Sequence, residues 1–110
     1  MKRSLGTLIF TKSDFPVEID YQQIKKAALV IRAFDHEIRY KILKIIDENE
    51  RAYVKQIYKK LRIEQSVASQ HLALLRSAGI VNSIRDGKTV YYSPNYNRIN
   101  EIRQLLAKLI

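Results

Sequence analysis

The chain has 110 residues, 46% of them hydrophobic, and no cysteine. That length is one domain with a core large enough to fold without metal or disulfide support, and the missing thiols exclude a disulfide framework and any thiolate metal site. The formal net charge is +9, from 20 basic and 11 acidic residues, and two histidines are too few for a dense metal cluster.

The charge is unevenly placed. Residues 51–98 hold nine bases against two acids, Glu64 and Asp86, so +7 of the +9 lies in under half the chain. A polyanionic partner is the natural inference, with nucleic acid first among them. No apolar run reaches the roughly 18 residues of a membrane span. Met1-Lys2-Arg3 precedes an apolar run, but Lys12, Ser13 and Asp14 cut it too short for a signal peptide. The cytoplasm is the expected location.

Residues 1–19 read as an arm placed before a single unit over 20–110. Thr7 to Thr11 has strand-like composition, and Pro16 keeps Phe15 out of a helix. From Asp20, a plausible N-cap, the period becomes helical: Ile24, Ala27, Ala28, Ile31 and Phe34 recur at i, i+3, i+4 spacing. A second helix is expected from about His36 to Asp47, capped by Asp35, with Ile38, Ile42, Ile45 and Ile46 inward. A third spans about Tyr53 to Leu61. Its stripe is Val54, Ile57, Tyr58 and Leu61, and Lys55, Lys59 and Lys60 face out.

A tight turn, Arg62 to Gln65, leads into a helix over 66–78, which makes a helix-turn-helix. Ala68, Leu72 and Leu75 share one side of that helix, with His71 at the edge as a packing histidine. Ser66, Gln70, Ala73 and Ser77 lie opposite, beside Ser69. This second face is short, polar and free of acids, so it can enter a DNA major groove, where Ser and Gln bond base edges and phosphates. Gly79 supplies the positive-φ stop.

Ile80 to Ser93 changes to strand period around Asp86-Gly87, which predicts a type I′ hairpin with Arg85 and Lys88 flanking the turn. Beside a helix-turn-helix such a hairpin is a wing whose tip reaches phosphates or the minor groove. The last helix, about Tyr96 to Lys108, carries Ile99, Ile102, Leu105, Leu106, Leu109 and Ile110. That is more apolar surface than a terminal helix needs, and pairing with the first helix in a homodimer explains it.

The fold class expected is mainly α with a two-stranded wing, in the order α-α-α-α-β-β-α, and dimeric. This order resembles the ArsR/SmtB family of dimeric winged-helix repressors over residues 20–110. Phe34 to Leu43 is similar to the family's "LADPTRLRIL" segment, with Arg39 on its arginine. Ser66 to Leu72 is similar to its S-x-x-S-x-H-L recognition helix, and Gly79-Ile80-Val81 and Gly87 to Tyr92 to its wing. The resemblance implies a DNA-binding repressor. It does not carry metal sensing with it. Tyr53 and Lys55 stand where thiolate-sensing members have cysteines, Glu37 replaces a proline, and the last helix has no Asp or His, only Glu101.

The residues expected on double-stranded DNA are Gln65, Ser66, Val67, Ser69, Gln70, Ala73, Arg76, Arg85, Lys88, Lys55 and Lys59. Those expected between protomers are Ile24, Ala28, Ile31, Ile99, Ile102, Leu106 and Leu109. No cofactor, metal, membrane partner or enzymatic activity is expected: the chain has no nucleophile–base–acid set and no phosphate-binding glycine loop. The residues name no small-molecule effector. A winged-helix protein-interaction module and a nucleoid-type DNA binder without sequence preference are the alternative readings.

Overall fold

The computed structural model describes residues 5–110. Two strands, β1 (Thr7–Phe10) and β2 (Val17–Asp20), form an antiparallel hairpin ahead of the helices. The charged start, residues 1–4, lies outside the described residues. Next come α1 (Tyr21–Phe34), α2 (Glu37–Glu48), a two-residue strand β3 (Ala52–Tyr53), α3 (Val54–Leu61) and α4 (Gln65–Ser77). The wing follows as β4 (Val81–Asp86) and β5 (Thr89–Pro94), and α5 (Tyr96–Leu109) ends the chain.

Caps set the helix limits. The Asp20 side chain accepts from the Gln22 backbone N–H and starts α1 as expected. At α2 the expectation needs correction: the cap is His36, whose Nδ1 accepts from the Ile38 N–H at 3.1 Å, and not Asp35. Asp35 still belongs to the end of α1, because its N–H closes on Arg32 O. His36 is the first residue with extended backbone ahead of α2, which an N-cap requires.

The core is one cluster. Ile42, Ile45 and Ile46 of α2 meet Ile57 of α3 and Ala68, Leu72 and Leu75 of α4, with Ile80 and Val81 beneath the wing. Ala33 of α1 and Ile102 of α5 close it from the flanks. Arg62, at φ 56°, turns the chain from α3 to α4, a left-handed position held by Ile63 N–H donating to Tyr58 O at 3.1 Å. Gly79 turns it from α4 into β4 at φ 75°. Asn95 secures the same corner: its amide donates to Gly79 O and its Oδ1 caps α5 at Arg98 N–H.

The wing differs from the expected hairpin in two ways. β3 adds a third strand, in the order β3-β5-β4, pairing Ala52 with Tyr92 and Tyr53 with Tyr91. The register pairs Asp86 with Thr89, so Gly87-Lys88 is the turn and not Asp86-Gly87. Gly87 has φ 65° and Lys88 stays at negative φ, the type II′ pattern rather than I′. One glycine then supplies the only left-handed residue, whereas centring the turn on Asp86 would force a β-carbon into that region.

Candidate nucleic-acid interface

Leu72 and Leu75 pin α4 to the core from below, and the opposite face is open. Ser66, Ser69, Gln70, Ala73 and Arg76 are exposed, as is Gln65 at the helix start, and Val67 is half-buried. No carboxylate lies within α4; Glu64 precedes it as the N-cap residue. Lys55 and Lys59 project from α3, and Arg85 and Lys88 from the far part of the wing, all exposed. Because the turn is Gly87-Lys88, Lys88 sits at the tip itself and Arg85 in the strand opposite Val90.

Three residues fix this surface from behind. Arg39 is 7% exposed and lies among the isoleucines of α2. Its Nε donates to Ala33 O at 2.8 Å and its Nη2 to Arg32 O at 2.9 Å, so one guanidinium closes the end of α1. Its Nη1 is 3.3 Å from His71 Nδ1 on α4. Arginine only donates, so His71 accepts through Nδ1. The His36 ring stands 4.6 Å from that of His71. Burial, then the electrostatic influence of His36 and of Arg39, holds the His71 pKa below the ordinary 6.5. His71 is thus a hydrogen-bonded packing histidine, as its place on the wheel suggests.

The hub role of Arg39 was not read from the sequence, though a signal exists. Arg39, Ile42 and Ile46 fall at i, i+3, i+7, so the arginine lies on the inward stripe. Arg51 was also missed. Its guanidinium lies 4.0 Å from the Tyr91 ring centroid and 3.7 Å from the Asp86 carboxylate. Tyr91 meets Tyr53 edge-on at 5.7 Å. Tyr92, next along the strand, packs on the core.

The flanking helices present the other predicted surface. Ile24, Ile31, Leu106 and Leu109 are exposed and Ala28 is half-buried. Ile102 is taken up by the chain's own core at 5% exposure, and Ile99 packs against that core. Ala27, Val30 and Ile31 of α1 and Leu105, Leu106 and Leu109 of α5 line an apolar groove of about 320 Å³. Among the described residues no cluster of three or more His, Asp or Glu side chains is placed to hold a metal. No described helix is long and apolar enough to cross a membrane.

Residues 36–83 match the family described as bacterial regulatory protein, arsR family. Over 84 residues the chain is 34% identical to the transcriptional activator HlyU of Vibrio cholerae, covering 76% of this chain and 77% of HlyU. The chain belongs to the arsR family. An HTH-type transcriptional regulator of Methanocaldococcus jannaschii is 34% identical over 80% of this chain and 99% of its own length. The crystal structure of the transcriptional repressor PagR of Bacillus anthracis superposes with a TM-score of 0.62 at 30% identity, covering 79% of this chain and 99% of PagR. As an arsR-family protein the chain is a DNA-binding transcriptional regulator.

Proposed function

We propose that residues 20–110 act as a homodimeric repressor that binds an inverted-repeat operator. Two copies of α4, related by a two-fold axis, enter successive major grooves roughly 34 Å apart. Ser66, Ser69 and Gln70 read base edges and set register, and Lys55, Lys59 and Arg76 hold the flanking phosphates. Lys88 and Arg85 bring the wing to the backbone or the minor groove. The α1–α5 groove is where the two copies meet. Occupied promoter DNA is closed to polymerase, so repression follows from binding alone.

The observation that carries this reading is the exposed, acid-free face of α4, flanked on both sides by unburied bases. The test is selection of genomic DNA fragments by the purified protein at about 150 mM salt, where nonspecific binding is already weakened. An inverted repeat is expected. Gln70→Ala should cost about 1–3 kcal/mol of specific affinity if its amide bonds one base at two points. Uniform recovery of all fragments would replace sequence-specific binding with a nucleoid-type role, and no recovery at any salt would point to a protein-interaction module or to a regulator that needs a ligand before it binds.

A further inference from the structure

The chain's two histidines, His36 and His71, meet across the joint between α2 and α4. Both use Nδ1 as a hydrogen-bond acceptor. His36 accepts from the Ile38 N–H and so caps α2. His71 accepts from Arg39, whose guanidinium also holds the Ala33 and Arg32 carbonyls, and so ties α4 to the end of α1. An imidazole nitrogen accepts only while it carries no proton. A proton on either Nδ1 turns the acceptor into a donor that faces a donor.

The surroundings make this joint sensitive to acid. Among the described residues no carboxylate is ion-paired with Arg39, His36 or His71. From α2, His36 and Arg39 are the groups that act on the charge of His71, while Glu37 is paired with Lys41. At the end of α1, Arg32 and Asp35 are exposed, as are Lys55, Lys59 and Lys60 of α3 and Arg85 and Asp86 of β4. Within α4 itself Arg76 is the one other charged group, and there is no acid. A proton on His71 therefore sets a second cation against a buried guanidinium with no acid to compensate either.

We propose that Arg39, His36 and His71 form a proton-operated latch on α4. The inference rests on the α4 reading proposed above and adds its regulation by acid. With His71 neutral, α4 is fixed against the end of α1 and its open face keeps one orientation. With His71 protonated, Arg39 keeps its two carbonyls and gives up its bond to α4. Ala68, Leu72 and Leu75 still anchor the helix in the core, so it tilts at its His71 edge and does not unfold. Ser69 and Gln70, next to His71 in the chain, lose their register, while the lysines keep their attraction for phosphate. Charge alone predicts the opposite, because protonated histidines add positive charge and strengthen binding to every DNA sequence.

Fluorescence anisotropy with the full chain and two duplexes tests the latch at fixed salt: the inverted repeat recovered by selection, and the same bases scrambled. Across the range in which histidine titrates, from about pH 7.5 to about 5.5, the ratio of the two affinities should fall for the wild-type chain by at least about fivefold, the lower end of ordinary coupling between sites. His71→Asn keeps an acceptor that does not titrate and should hold the ratio level. His36→Ser keeps a cap on α2 and removes one influence against a charged His71, so the fall should move to higher pH. A histidine that merely packs would give no such shift. Hydrogen exchange of the α4 amides in the DNA-free chain, taken relative to the intrinsic rate, reads the same release without DNA. Far-UV circular dichroism checks the fold at each pH, and His36→Ser carries the test if His71→Asn perturbs it. Parallel pH profiles in the wild type and both variants overturn the latch and leave sequence reading by α4 standing. Equal affinity for the two duplexes at every pH removes sequence reading instead, and exchange then decides the latch: a loss of α4 protection in acid that His71→Asn abolishes upholds it, and protection that does not change with pH overturns it.

Discussion

The stretch from α2 to the wing and the segments that flank it treat their apolar side chains in opposite ways. Residues 42–81 supply ten of the twelve buried hydrophobic residues; Ala33 and Ile102 are the other two. The large exposed hydrophobics are distributed the other way: only Tyr40 and Ile84 lie between α2 and the wing's end, and fifteen lie in residues 5–31 and 96–110. The stretch from α2 to the wing closes its core within one chain, while the flanks leave theirs open. Stability is therefore expected to reside in that stretch, and assembly in the flanks.

Leu72→Ala cuts into the closed half, where a fully buried leucine leaves a cavity. It should cost about 2–5 kcal/mol in urea unfolding. Leu109→Lys, on the open half, should shift monomer stability by no more than about 0.5 kcal/mol and act on self-association instead. Equal losses of stability from the two would dissolve the contrast. Arg39→Ala tests the joint between the halves. It strands two carbonyls at the end of α1 and the His71 acceptor, and should cost about 2–3 kcal/mol by the same measurement. A near-neutral result would mean that water replaces the guanidinium and that the halves are joined by packing alone.

The wing gives a smaller effect. Arg85→Ala should weaken binding to all DNA sequences alike and reduce the salt slope by about one unit, read from affinities at several salt concentrations. An unchanged slope would take Arg85 off the phosphates. Smallest is the effect of pH. The folded-state pKa of His71 lies below its unfolded value, so below pH 6.5 the folded chain binds fewer protons than the unfolded chain. The stability contributed is present above that pH and lost as pH falls through the folded pKa. Thermal unfolding should show the decline, and His71→Asn, which keeps an acceptor without titrating there, should flatten it.

Much of this was legible in the residues, for reasons that differ by element. The helical period of α1 and the two faces of α4 follow from spacing, though only α4 buries its stripe, Ala68, Leu72 and Leu75, while Ile24 and Ile31 of α1 stay exposed. The caps were harder. Asp35 is the better capping residue by type, but it is taken up as the C-cap of α1, its N–H on Arg32 O, which leaves the role to His36. β3 is two residues long and exists only because β5 offers an edge, so no local pattern announces it. The hairpin turn moved by one residue because Gly87 suits either centre and pairing decides between them. Thr7 to Phe10 has strand composition without alternation, so its partner could not be named until Val17 to Asp20 was seen beside it. The exposure of the α4 face and of the wing bases was legible from spacing and charge, whereas Arg39 and Arg51 act through partners distant in sequence.

Arg51 has one more effect. Asp86 is the wing's only acid, two positions from Lys88 at the tip, and the Arg51 guanidinium lies 3.7 Å from it while resting on Tyr91. The arginine insulates that carboxylate. Without it, a bare negative charge would approach the polyanion together with Lys88 and cancel part of its attraction. A residue outside the expected contact set thus offsets the wing's one carboxylate and leaves Arg85 and Lys88 to set the field at the tip.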